Sequence, residues 1–166
     1  MNFELLAAEF VLTGFASEAL AELATTALLE GATAPSFAVL AGSAAGEAPA
    51  DLRDLFVSAL RESGVQLPNR VEAAHQLKFD FAREVSEGRL AAPRGALQII
   101  RVFGMVRDEL PTSAGYVGDE FGIASLYGIY DDYENLTTAD DPRRASVVAA
   151  LRAACQEIVG SRARTI

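Results

Sequence analysis

Apolar residues recur along this chain at helical spacing, and the strict apolar–polar alternation of strands is absent. The clearest stripe follows Pro93: Ala96, Ile99, Ile100, Phe103, Val106 and Leu110 keep a 3.6-residue period until Pro111 breaks it. Asn2 to Thr13 predicts a first helix stopped by Gly14, and Ser17 to Glu30 a second stopped by Gly31. Pro35 to Ala41 reads as a short helix ending at Gly42, and the small residues from Gly42 to Pro49 as a loop. Asp51 to Ser63 carries Leu52, Leu55, Phe56, Ala59 and Leu60 on one face and ends at Gly64. Asn69 is placed to cap a long helix reaching Glu87, stopped by Gly88, with an inner stripe of Val71, Ala74, Phe81, Ala82 and Val85. Residues 111–119 read as loop, and 120–135 as helix interrupted by Gly122 and Gly128. Asp140 or Asp141 is expected to cap a last helix, with Pro142 in its first turn and Val147, Val148, Leu151, Cys155 and Ile158 facing inward. The expected architecture is all-α, a bundle of six to seven helices, with residues 1–166 as a single helical domain.

Size and composition agree with that expectation. A chain of 166 residues that is 51% hydrophobic is long enough to bury on the order of 70% of its unfolded surface without a disulfide or metal staple. Its single cysteine, Cys155, cannot close an internal disulfide, so an oxidising compartment is not indicated. The opening MNFELLAAEF lacks a basic leader and is interrupted by Glu4 and Glu9, which predicts no secretory signal. No apolar run nears the ~20 residues needed to span a bilayer. The expected location is cytoplasmic.

Charge adds a direction. The net charge is −9, and the acids are segregated: residues 1–52 hold seven acids and no base, and residues 111–141 again hold seven acids and no base. Residues 142–166 carry five arginines against Glu157. A field of this sign repels phosphate backbones and anionic headgroups, so neither nucleic acid nor a membrane is the expected partner. A basic protein surface or a cation is favoured.

Few constellations suit catalysis. His75 is the only histidine, and Glu72 with His75 forms a Glu-x-x-His pair of the kind that di-iron bundles use twice. The second copy is missing and only a symmetric homodimer would supply it, so His75 reads first as a histidine at the margin of a helix stripe. One Cys and one His cannot build a four-ligand zinc site. Cys155 lies on an apolar helix face, where burial makes a thiol inert. Ser43 lacks the strand–turn–helix setting of a nucleophile elbow, and no phosphate-binding glycine motif occurs. Asp131, Asp132 and Glu134 are dense enough in oxygen to attract calcium or magnesium, but the spacing that an EF-hand needs does not follow. No catalytic residue, cofactor or metal ligand is assigned from the sequence.

The strongest candidate is a binding face. All four tyrosines, Tyr116, Tyr127, Tyr130 and Tyr133, fall in the acidic stretch between Pro111 and Asp141. Tyrosine offers binding surfaces a rigid apolar ring with a polar tip. With Asp119, Glu120, Asp131, Asp132 and Glu134 around them, these rings predict a patch over 115–135 that meets a basic protein. The competing expectation is that Tyr127, Tyr130 and Tyr133, spaced by three, close the core beside Phe121, Ile123 and Leu126 with their hydroxyls at the rim.

A resemblance is carried by Gly31 through Ser36 to Leu40-Ala41-Gly42, Leu55-Phe56, Ala59-Leu60, Gly64 with Leu67-Pro68, Ala73-Ala74, Gly88, and Pro93 with Gly95-Ala96. Over roughly residues 23–134 the chain resembles an uncharacterised family of small all-helical actinobacterial proteins with no assigned activity. The chain departs from that pattern at Phe37-Ala38-Val39, where a charged residue is usual. The resemblance implies a helical fold and a bacterial setting and no catalytic residues. The function expected from all of this is non-catalytic: an acidic protein-binding module of immunity or regulatory-adaptor type, acting through 115–135. The alternatives are a metal-dependent helical enzyme using Glu72, His75 and nearby carboxylates, and a structural homo-oligomer.

Overall fold

The computed structural model describes residues 1–43, 48–111, 115–136, 138 and 140–162. The parts of the expected 42–49 and 111–119 loops at 44–47 and 112–114 lie outside the described residues. The fold is all-α: the described residues form eight α-helices, one or two more than expected, and two 3-10 turns, with no strand among them. The helices are α1 (Phe3–Thr13), α2 (Ser17–Leu29), α3 (Pro35–Ala41), α4 (Pro49–Glu62), α5 (Arg70–Ser86), α6 (Ala92–Val106), α7 (Ala124–Glu134) and α8 (Arg144–Arg162). The chain divides into two compact units, Met1–Ala73 and Ala74–Ile166.

Local chemistry sets most helix ends. The Asn2 side chain accepts from the Glu4 and Leu5 amides at 3.1 and 3.3 Å, capping α1. Asn69 and Glu72 form a reciprocal capping box at the start of α5: the Glu72 amide donates to Asn69 Oδ1 and the Asn69 amide to Glu72 Oε2, both at 2.9 Å. The expected glycine stops at 14, 31, 64 and 88 all have positive φ, which lets the chain leave each helix without the penalty that a Cβ incurs there. Four boundaries differ from expectation, among them the start of α8 at Arg144, which leaves Pro142 in the preceding turn and not in the first turn of the helix. Pro49 begins α4 instead of ending a loop, because its fixed φ suits the first helical turn. The α6 stripe stops at Val106, and Arg107–Glu109 tighten into a 3-10 turn. Gly122 interrupts 120–135 but Gly128 does not, since an exposed mid-helix glycine weakens a helix by only ~1 kcal/mol.

In the first unit, α3 packs on α2 and α4. Its core holds a run of rings: Phe3 stacks on Phe37 at 5.5 Å, and Phe56 meets Phe10 at 4.9 Å, Phe15 at 5.9 Å and Phe37 at 6.5 Å. Fully buried Ala7, Ala24, Ala27 and Ala59 surround these bulky groups. Glu62, at the end of α4, accepts from the Ser36 amide at 2.9 Å and the Ser36 hydroxyl at 2.7 Å. It thereby caps α3, and those bonds hold its carboxyl below the usual range.

In the second unit, α6, α7 and α8 pack pairwise. Ile99, Phe103, Val106, Phe121, Ile123, Leu126, Leu151, Cys155 and Ile158 are buried there. Gly95 matters through packing: a Cβ at this position would lie 2.1 Å from Val85 Cγ2 on α5. Val85 is β-branched and stiff, so the space is not easily recovered. Gly95→Ala is expected to destabilise by roughly 1–3 kcal/mol from overpacking, in spite of the ~1 kcal/mol gain in helix propensity. Gly104→Ala, in the same helix with nothing within 4 Å of its Cβ position, should instead stabilise. Urea melts of the two variants check this, and equal stabilities would refute the close α5–α6 approach.

Candidate functional site

The expected binding segment is built from a tight turn and one helix. Gly118 and Gly122, both left-handed, flank the 3-10 turn Asp119–Phe121. At Gly118 a Cβ would meet Ile123 Cγ1 at 2.9 Å, so both the backbone sign and the space require glycine. Asp119 Oδ2 accepts from the Tyr116 amide at 2.7 Å and fixes the approach to the turn. The result faces two ways. Phe121 is buried, with its ring 4.5 Å from the His75 ring and 5.8 Å from Phe103. Tyr116 is 84% exposed and Val117 47%.

The turn is held by a residue that sequence reasoning missed. Lys78, on α5, is only 5% exposed, and its Nζ donates to the Phe121 carbonyl at 2.6 Å. The ammonium also lies 4.4 Å from the centre of the Phe121 ring and 4.8 Å from that of Phe79. Burial pushes its pKa down to about 8. His75 is half-buried, and its pKa is lowered by burial first and by the Lys78 charge second. A signal was present in the sequence: Lys78 stands four residues from both Ala74 and Ala82, in the middle of the α5 stripe.

The four tyrosines separate. Tyr116 and Tyr127 are exposed. Tyr130 and Tyr133 are half-buried, their rings 6.0 Å apart. The Tyr130 hydroxyl donates to Glu134 Oε1 at 3.0 Å, and burial together with that carboxylate raises its pKa. Arg144 of α8 donates to the Tyr133 hydroxyl at 2.7 Å and lies over its ring at 5.0 Å. The core is closed by Phe121, Ile123 and Leu126.

The expected acids divide as well. Asp131 accepts from the Asn135 side chain at the end of α7, through its backbone carbonyl at 2.9 Å and Oδ2 at 3.3 Å. Asp131, Asp132 and Glu134 are exposed, and so is Asp119. Glu120 is half-buried, bordering a cleft of about 370 Å³ that Tyr116, Val117, Leu110 and Arg107 also line. A stretch without a single base in sequence thus acquires bases in space: Arg107 beside Tyr116, Arg144 on Tyr133, and Arg101 near enough to Tyr130 to oppose the rise in its pKa.

The alternative chemistry finds other uses for its residues. Glu72 is engaged in the α5 capping box, and His75 stacks on Phe121. Among the described residues, no three His, Cys, Asp or Glu side chains converge as a metal site would require. Cys155 is buried, which pushes its thiol up to about 11. Among the described residues no helix is long and apolar enough to cross a membrane.

Fold and site together define an all-α protein that displays an aromatic turn pinned from beneath by a buried lysine. No protein-family model, no curated protein and no solved structure matches the chain.

Proposed function

We propose that this is a non-catalytic bacterial protein-binding module that engages a basic partner surface through residues 115–135, in the manner of an immunity protein or regulatory adaptor. The observation that carries the reading is the exposed Tyr116-Val117 pair on a fixed turn. Ordering a loop or a large side chain on binding costs ~0.5–1.5 kcal/mol for each immobilised group, and a turn already fixed by Gly118, Gly122, Asp119 and Lys78 avoids most of it. Exposed Asp119, Asp131 and Asp132 supply the negative rim that steers a basic partner. Within the segment, Tyr116 and Tyr127 are the contact residues, whereas Tyr130 and Tyr133 brace α7.

Tyr116→Ala combined with Tyr127→Ala is expected to weaken partner capture at least tenfold, as truncated central tyrosines commonly cost ~2 kcal/mol of binding. Stability should change by less than ~1 kcal/mol because both side chains are exposed. Quantitative co-purification of a basic protein, run at rising salt beside thermal melts, measures both effects. Capture that is indifferent to the double substitution and to salt would reject the reading.

A further inference from the structure

Lys78 is the only lysine in a chain with thirteen arginines, so apart from the α-amino group it carries the one aliphatic amine. Its surroundings offer the ion two aromatic faces but little hydrogen bonding. An ammonium has three N–H donors to satisfy, and among the described residues the oxygen that accepts from Lys78 is the Phe121 carbonyl. Two aromatic rings take up other sides of the group. A neutral amine can keep the bond to Phe121 with one N–H and still present a lone pair.

One side is left uncovered by a missing side chain. A Cβ placed on Gly122 would meet Lys78 Nζ at 3.9 Å and nothing else within 4 Å, and Gly122 itself is exposed. Gly122 also borders a cleft of about 280 Å³ whose walls are mainly apolar, with Ile123, Leu126, Ala154 and Ile158, and also include the Glu157 carboxylate. An amine in an apolar setting, a glycine window and an adjoining, mainly apolar cleft are the parts that activated lysines use in carbonyl chemistry.

We propose that Lys78 is an amine nucleophile that captures small apolar aldehydes or ketones reaching it past Gly122. The nitrogen lone pair forms a bond to the carbonyl carbon while the carbonyl π pair moves to oxygen. A proton passes from nitrogen to that oxygen, with His75, one turn away on α5, as the base that relays it. The second N–H proton then passes to the hydroxyl, the C–O bond breaks as the nitrogen lone pair forms the C=N bond, and water leaves, so amine and carbonyl compound give imine and water with no oxidant or reductant consumed. The burial that lowers the Lys78 pKa supplies the neutral amine near neutral pH.

The test uses the whole chain, propionaldehyde as the probe and cyanoborohydride to trap the imine, at about pH 7.5 with peptide mapping by mass spectrometry. Folded protein is compared with protein unfolded in urea, and the α-amino group serves as the internal standard. An ordinary lysine amine is only ~0.1% neutral at this pH, so labelling of Lys78 should be up to ~100-fold faster in the folded chain. A packing lysine behaves in the opposite way, being protected by the fold. Labelling in the folded chain that is equal to or slower than in urea overturns the proposal.

Discussion

Phe121→Ala is expected to lower stability by about 3–5 kcal/mol, the range for emptying a buried aromatic site. Phe121 is 1% exposed and contacts His75 and Phe103, and Lys78 lies over its ring while bonding to its carbonyl. Removing the ring leaves a cavity between these groups and takes away one of the two faces that stabilise the buried ammonium. Natural domains hold only ~5–15 kcal/mol in reserve, so a loss of this size is a large share of the total. At 2–4 °C per kcal/mol for a chain of this length, the melting temperature should fall by roughly 6–20 °C. Amide exchange across 116–122 should accelerate further, because the turn loses the contact that orients it. Urea unfolding followed by circular dichroism gives the free energy. A loss below ~1 kcal/mol would show that Phe121 does not anchor the turn.

The parts of this fold that were legible in the sequence are those fixed by neighbours in the chain. Asn69 and Glu72 are three residues apart, and the glycines at 14, 31, 64 and 88 terminate helices through their own φ, so a local reading suffices. The α6 stripe is equally local: Ala96, Ile99, Phe103 and Val106 are all buried. The candidate site was legible only in part. Clustering of the tyrosines marked the segment, but their division into exposed Tyr116 and Tyr127 and braced Tyr130 and Tyr133 depends on Glu134 and on Arg144, which enters from the next helix. Lys78 was the largest omission. A lysine on a helix ordinarily reads as a solvated position, and its oxygen partner lies 43 residues further along the chain. Its place on the stripe between Ala74 and Ala82 was visible, but a charge at such a position cannot be told from a snorkelling one without the fold.

Lys78→Met provides the clearest physical check on that buried charge. The folded pKa, about 8, lies below the ordinary 10.5, a difference worth roughly 3 kcal/mol between the two charge states. Well below pH 8 the amine is protonated whether the chain is folded or not, and the full penalty of burying the charge is present. Between 8 and 10.5 the unfolded chain binds more protons than the folded one, so folding stability rises with pH. Above 10.5 both states are neutral and the penalty is gone. The bond to the Phe121 carbonyl survives this titration, because a neutral amine still donates. Methionine is unbranched like lysine, one atom shorter, and removes the charge, but it leaves that carbonyl without its donor, a loss of ~1–3 kcal/mol. At pH 7 the two effects nearly offset, so the variant and the wild type should differ by less than ~2 kcal/mol. The pH dependence separates them: the stability of the wild type minus that of Lys78→Met should rise by roughly 3 kcal/mol from pH 8 to 10.5 and stay flat from 7 to 7.5. His75, the titratable neighbour, has its pKa lowered from 6.5 and so titrates below this window. Denaturant melts at half-unit pH intervals measure the difference, and parallel curves for the two proteins would show that Lys78 titrates in the folded chain as it does in solvent.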